Sequence, residues 1–496
     1  MKNKLIKNAS SSVVQFMFNS VILFVFYKFL LKTIGAKDIG IWSLVLGISS
    51  LSQVAAFGFS GGAVKYVAQY LSRQENDKVS AVIQTSLISV GFLVGIFVAL
   101  GYPLFRIFII HASGTENTLK IEQILPLGMV CLWLMVLVNV AFSSLDGYQR
   151  MYLRNYVFVA SAGINLLLCF FVVPRFQLLG LAYLSLFQNS FLLISSWILL
   201  KRLNPCLPAI PFRWNKSIFK EVLGYNVKFQ LISFTTMLCE PTTKYFLGIF
   251  GGIASVGYYE MASRLAGQVR GVLVSANQAI VPTIAVYVEQ EKEKVRRIYI
   301  NSFHLLLFIV LPVYCILLLA VPLISHVWIG SSNVVFMLAL HVLLFAHMIN
   351  ILSNPAYFSN LGTGWLSVNL FAHVSMAITN LLLAYILGNI YGGQGVIIAW
   401  AVTLVLGSAY ICCSYHRKHN ISIKDILPSH FNKMLFFVVA IFALGKICLW
   451  MSRELQVIEA YSLVIGITAA SLFYHQWKHP FFSRLSEWFI HKGTKA

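Results

Sequence analysis

YKFLLKTIG, residues 27–35, and TKYFLGIFG, residues 243–251, overlay at an offset of 216, which places Lys28 over Lys244 and Gly35 over Gly251. Further pairs follow in the same order along the chain. DKVSAVIQTSL from Asp77 faces EKVRRIYINSF from Glu293 at 216, LGYPL from Leu100 faces LAVPL from Leu319 at 219, and Asn165-Leu-Leu-Leu faces Asn380-Leu-Leu-Leu at 215, with Gly180 over Gly395. Each match is short, but four in order at nearly one offset point to an internal duplication.

The repeated unit is a membrane bundle. Of the 496 residues 58% are hydrophobic and 11% charged, and the mean hydropathy is +0.79. That composition lies far outside the soluble range. Apolar runs long enough to cross about 30 Å of hydrocarbon, roughly 20 residues each, recur along the whole length. Fourteen are expected, beginning near residues 12, 39, 80, 124, 156, 179, 227, 256, 298, 334, 366, 393, 433 and 457. MKNKLIKNAS at the N-terminus has the charge of a signal peptide, but no small-residue cleavage site follows, so the first span is expected to stay.

Lysine and arginine set the orientation: the termini and even-numbered loops hold 25 and the odd-numbered loops six. Both termini are therefore expected in the cytoplasm. The net charge of +21 is thus mostly topological and speaks little for nucleic-acid binding, although the cytoplasmic rim should attract anionic membrane lipids. No loop exceeds about 26 residues, which leaves no room for a soluble catalytic domain.

The fold expected is an all-α polytopic membrane protein. Residues 1–203 and 219–416 form two six-helix bundles, 204–218 a cytoplasmic linker, and 417–496 two additional transmembrane helices with a cytoplasmic tail. Pro205, Pro208 and Pro211 suit a semi-rigid extended linker. Six spans between equivalent positions give both bundles the same orientation, an arrangement suited to rocking about a central cavity.

Charges inside spans are expensive and mark pathways by default. Lys28, Lys228, Lys244, Arg264 and Arg270 outnumber Glu240 and Glu260, so a cavity between the bundles would favour an anionic head group. Glu240 with Lys244 and Glu260 with Arg264 also have the i,i+4 order of internal ion pairs, and Lys28 and Lys244 can reach the outer interface by snorkelling. Arg270 has no acid three or four residues away. The candidate substrate-binding residues are Arg270, Arg264, Lys244, Lys28, Asn277 and Gln278, and the candidate ion-coupling residues are Glu240 and Glu260. Pro241 is a candidate hinge, since it removes the helix bond to the Met237 carbonyl. Gly91-x-x-x-Gly95 and Gly267-x-x-x-Gly271 allow close helix approach, and intramembrane amides such as Asn165, Gln188, Asn369 and Asn380 serve either a sugar path or helix packing.

The eight cysteines form no metal or disulfide pattern, His416 and His419 lie in a basic interfacial segment, and no P-loop motif is present. No metal or other cofactor is expected.

GAKDIGIW from Gly35, VGYYEMASRLAGQV from Val256 and ANQAIVPTIA from Ala276, with the length and the twelve-plus-two topology, resemble the Wzx-type polysaccharide and O-antigen flippases of the MOP (multidrug/oligosaccharidyl-lipid/polysaccharide) exporter superfamily. Multidrug and toxin extrusion (MATE) transporters and lipid II flippases are relatives. The resemblance implies a MATE-like architecture in a bacterial inner membrane. It also implies export of an undecaprenyl-pyrophosphate-linked oligosaccharide to the periplasmic leaflet for O-antigen, lipopolysaccharide or other surface polysaccharide biosynthesis. A polysaccharide polymerase and a chain-length regulator are the partners to expect. The arginines and lysines would then hold the pyrophosphate while the halves rock, with H+ or Na+ coupling left open. Two other classes remain: a MATE-like ion-coupled exporter, which would want more buried acids, and a membrane polymerase or ligase, which would want a large external loop.

Overall fold

The computed structural model describes residues 2–55, 59–224, 227–277 and 292–427, with isolated positions at 284, 439, 443 and 466. Among these residues there is no strand. The helices are α1 (Lys2–Thr33), α2 (Gly35–Ala55), α3 (Phe59–Ser72), α4 (Asn76–Ser113), α5 (Thr118–Gly147), α6 (Met151–Leu203), α7 (Lys216–Gly224), α8 (Val227–Gly251), α9 (Ile253–Asn277), α10 (Lys292–Ile324), α11 (Val334–Leu352), α12 (Asn354–Thr363) and α13 (Leu366–His419). Among the described residues seven helices are long and apolar enough to cross a membrane. The two spans expected from residues 433 and 457 lie outside the described residues.

Helices α6 and α13 hold 53 and 54 residues, roughly 80 Å at 1.5 Å per residue, far more than one crossing needs. Each is broken by one residue. Gln177 stands at φ 52°, ψ −131° and Gly392 at φ 62°, ψ −149°, so both reversals sit at the duplication offset of 215. The arms of α6 fold against each other, with Asn165 Nδ2 donating to Gln188 Oε1 at 3.1 Å. The pairing of Gly180 with Gly395 now has a physical reason. A Cβ on Gly180 would lie 3.1 Å from the Val172 carbonyl oxygen, and one on Gly395 would lie 2.0 Å from that of Leu387, again at the same offset.

The first pair of repeat glycines needs a correction of one residue. Gly35 adopts a left-handed conformation at φ 77°, and its structural counterpart is Gly252 at φ 76°, not Gly251. Gly251 serves a different need, since a Cβ there would lie 2.9 Å from Gly393 Cα. The duplication offset is therefore 217 just after this turn, and it is 216 again at Asp77 and Glu293.

By contacts the chain divides into two compact units, Met1–Met261 with His373–Trp400, and Ala262–Ala372 with Ala401–Ala496. The first contains a core of Phe59, Val67, Val79, Ile83, Val90, Val140 and Leu145, completed by Ile218 and Val222 of α7. Residues 204–215 are non-helical, with turns near 205–210, and residues 216–218 already belong to α7, but the segment is pinned. Gln84 Oε1 accepts from the backbone of Phe212 and Arg213, each at 3.2 Å, Asn215 N donates to Thr85 Oγ1 at 3.2 Å, and Trp214 Nε1 donates to Ser89 Oγ at 3.0 Å. Ser80 Oγ donates to the Cys206 carbonyl at 3.1 Å. A polar stripe on α4 thus satisfies linker backbone groups that have no helix of their own. In the second unit Tyr299, Ala356, Ala372, Ile411 and Tyr415 form a smaller core.

The two glycine pairs differ. Trp133 lies against both Gly91 and Gly95 and donates from Nε1 to the Gly91 carbonyl at 2.7 Å, whereas a Cβ on Gly267 or Gly271 would meet nothing within 4 Å. Close approach at Gly267 and Gly271 is therefore not a feature of the described structure.

Candidate functional site

In the first unit the two sequence halves meet at a reciprocal backbone contact. A Cβ on Gly40 would lie 2.1 Å from the Ile253 carbonyl oxygen, and one on Gly257 would lie 2.1 Å from that of Ala36. Gly40 and Gly257 are equivalent at the offset of 217, as are Ala36 and Ile253, so the crossing of α2 and α9 is pseudo-twofold. Only glycine permits backbones this close.

Beside this crossing lies a buried charge cluster. Lys244 on α8 is 1% exposed, and its Nζ sits 2.6 Å from Glu240 Oε1 and 2.8 Å from Glu260 Oε2. Glu260 on α9 is equally buried and also accepts from Ser43 of α2 at 2.8 Å and Tyr27 of α1 at 3.2 Å. Glu240 is different: its side chain is 47% exposed. Gly47 of α2 makes room for the lysine stem, its Cβ position being 3.5 Å from Lys244 Cδ. Four helices thus converge on the Lys244–Glu260 ion pair. A carboxylate this deep is tolerated because a cation and two hydroxyls surround it.

Helix α8 runs unbroken through Pro241. Thr242 and Thr243 donate their hydroxyls to the Leu238 and Cys239 carbonyls at 2.7 and 2.9 Å, and Asn380 Nδ2 also donates to the Cys239 carbonyl at 3.2 Å. Hydroxyl and amide donors thereby fix the segment that carries Glu240 and Lys244.

A second basic site lies in the second unit. Arg270 on α9 is partly buried, and its Nε donates to Asn350 Oδ1 on α11 at 2.9 Å. Asn350 Nδ2 in turn donates to Ser408 Oγ on α13 at 2.9 Å. Tyr314 of α10, Tyr357 of α12 and His347 of α11 lie within electrostatic reach of the guanidinium. Among the described residues no carboxylate pairs with Arg270. Its charge is held by a neutral amide, so the fork of the guanidinium keeps its donors for another acceptor.

A family model described as "Polysaccharide biosynthesis protein" matches residues 34–336, more than half of the chain. The chain belongs to the polysaccharide biosynthesis protein family. Its fold is similar to those of solved transporters and of a lipid flippase. It is similar to lipid II flippase MurJ in an inward closed conformation, with TM-score 0.72 and 15% identity over 95% of this chain and 100% of that one. It is also similar to an inward-facing MATE family multidrug resistance transporter of the MOP superfamily, with TM-score 0.71 and 16% identity over 81% and 94%. A MOP superfamily transporter from Pyrococcus furiosus, described as having a binding pocket of reverse polarity, aligns at TM-score 0.59 and 16% identity over 82% and 95%. No curated protein matches the sequence.

Within this member of the polysaccharide biosynthesis protein family the sequence-derived candidates separate. Lys244, Glu240 and Glu260 come together in one cluster, and Arg270 stands in another. Lys28 is exposed, next to the buried Tyr27, and Arg264 is exposed on α9. Asn277 ends α9 with its side chain outside the described residues, and Gln278 lies outside them altogether. Asn369 and Asn380 are fully buried and bond to the backbone of Tyr357 and Cys239, which is helix packing rather than a sugar path. Sequence reading missed Asn350, Ser408 and Tyr314. Asn350 closes the run HVLLFAHMIN, residues 341–350, and an amide ending such an apolar run was the signal available.

Proposed function

We propose that this protein is a flippase that moves an undecaprenyl-pyrophosphate-linked oligosaccharide from the cytoplasmic to the periplasmic leaflet of a bacterial inner membrane. The observation that carries the proposal is Arg270, an intramembrane guanidinium held by Asn350 with no carboxylate partner among the described residues. Such a group suits a phosphoryl anion, to which it can offer two parallel hydrogen bonds. The polyprenyl tail stays in lipid while the sugar crosses through the protein.

Family membership supports the pathway, and the MOP fold supports movement by alternating access. In this reading residues 1–203 and 219–416 act as two six-helix halves within fourteen spans, with both termini cytoplasmic. Arg270 holds the head group first. Arg264 and Lys28, with Asn277 and Gln278, add polar contacts along the path, and Lys244 joins them when its ion pairs open. The polymerase and chain-length regulator act on the product. A MATE-like exporter of cations fits less well, because both intramembrane acids already bind Lys244.

The test is reconstituted flipping of a defined lipid-linked oligosaccharide. Arg270→Ala is expected to lower the rate at least about tenfold at normal protein level, and Arg270→Lys to recover part of it, since lysine restores the charge but not the fork. Full activity of Arg270→Ala overturns the proposal. Coupling to H+ or Na+ is proposed to run through Glu240, the accessible carboxylate of the pair, with Glu260 behind it. Glu240→Gln should flatten the dependence of flipping on pH or sodium, and an unchanged ion response would remove that role.

A further inference from the structure

Tyr314 is 0% exposed, and its hydroxyl has no hydrogen-bond partner among the described residues. A buried phenol left in that state is costly, and phenylalanine would fill the same space without the cost. The hydroxyl lies within electrostatic reach of Arg270, whose hydrogen-bond partner Asn350 is neutral. Two sets of donors therefore lie within electrostatic reach of each other, the guanidinium fork and a phenol.

The support behind Arg270 has a fixed polarity. A guanidinium only donates, so the amide oxygen of Asn350 must face it, and the amide nitrogen must then face Ser408, which accepts. Asn350 and Ser408 are both buried, so this orientation is not free to swing. The amide aims the arginine without neutralising it. An aspartate in the same place would aim it equally well and cancel its charge.

We propose that Tyr314 and Arg270, with Asn350 and Ser408 as positioning residues, form a seat for one phosphoryl oxygen, and that the neutrality of Asn350 makes this seat select anionic over uncharged polyprenyl head groups. The inference rests on the flippase reading above and names the chemistry of its site. Tyr314 contacts the anion. Asn350 acts through the arginine.

The test uses the full chain in nanodiscs, with polyprenyl pyrophosphate as the probe and the polyprenyl alcohol as the uncharged control. Tyr314→Phe is expected to weaken pyrophosphate binding about tenfold, the size of one hydrogen bond to a charged group, while leaving alcohol binding and thermal stability unchanged or the stability raised. Asn350→Asp is expected to fold well, through its new ion pair, and to abolish the preference for pyrophosphate over alcohol. Normal binding in both variants, with Arg270→Ala binding weakly, overturns this inference and leaves the flippase reading standing. Normal binding in Arg270→Ala overturns the reading beneath it. A Tyr314→Phe protein that melts lower but binds normally shows a structural hydroxyl and also overturns the inference.

Discussion

Lys244→Met is expected to destabilise the protein by about 3–5 kcal/mol, because it removes the ammonium 2.8 Å from the buried Glu260 carboxylate. The hydroxyls of Ser43 and Tyr27 remain, but two neutral donors do not replace an ammonium 2.8 Å away. Glu260→Leu alone should cost less, since the buried lysine keeps Glu240 at 2.6 Å. The double variant Lys244→Met/Glu260→Leu should regain most of the loss, as replacing a buried ion pair by apolar side chains is often near neutral. Thermal unfolding in detergent, read as a double-mutant cycle, measures the coupling directly. Equal, additive losses would mean that the pair is not what holds these helices. Flipping by the double variant then separates two roles: restored stability with restored transport makes Lys244 a structural charge, and restored stability without transport makes it a ligand.

Substitution of Gly40 or Gly257 should be comparably severe. Overpacking a core with flexible side chains costs about 1–3 kcal/mol, but here each new Cβ would fall 2.1 Å from a backbone oxygen that no rotamer can move. Gly40→Val and Gly257→Val should each exceed that range and sharply reduce folded protein. The two losses should not add, because either one forces the same crossing apart. Gly267→Ala and Gly271→Ala are the controls, since a Cβ there meets nothing within 4 Å, and each should be neutral or slightly stabilising. Melting temperature and yield of folded protein measure all of these. Wild-type stability in Gly257→Val would show that the crossing is not tight.

The duplication was legible because it is written in apolar helix length and in glycines, and both are local properties. Both hairpin reversals, at Gln177 and Gly392, fall at the offset that Asn165 and Asn380 had set. The fate of the two lysines was less plain. Lys28 and Lys244 occupy equivalent positions, yet one is exposed and the other is 1% exposed. The sequence does hold the reason: at offsets of 216 and 217 the counterparts of Glu240 and Glu260 are Phe24 and Ser43, so the first repeat lacks the acids that bury a lysine. Ser43 instead bonds across the pseudo-twofold to Glu260 itself. The support of Arg270 could not be read this way. Asn350, Ser408 and Tyr314 come from three helices, 58 residues separate Asn350 from Ser408, and no local spacing joins them. Such a site is a product of packing between helices and becomes visible only when they are assembled.

The reversals in α6 and α13 bear on what the protein displays beyond the bilayer. When two crossings are joined through a single non-helical residue, the join is a corner and not a loop. At Gln177 and Gly392 there is no slack chain for a protease to seize, for a tag to be threaded into, or for a soluble partner to clasp. Whatever meets the protein at these two corners must recognise the ends of packed helices and the exposed Phe176 and Tyr391 beside them.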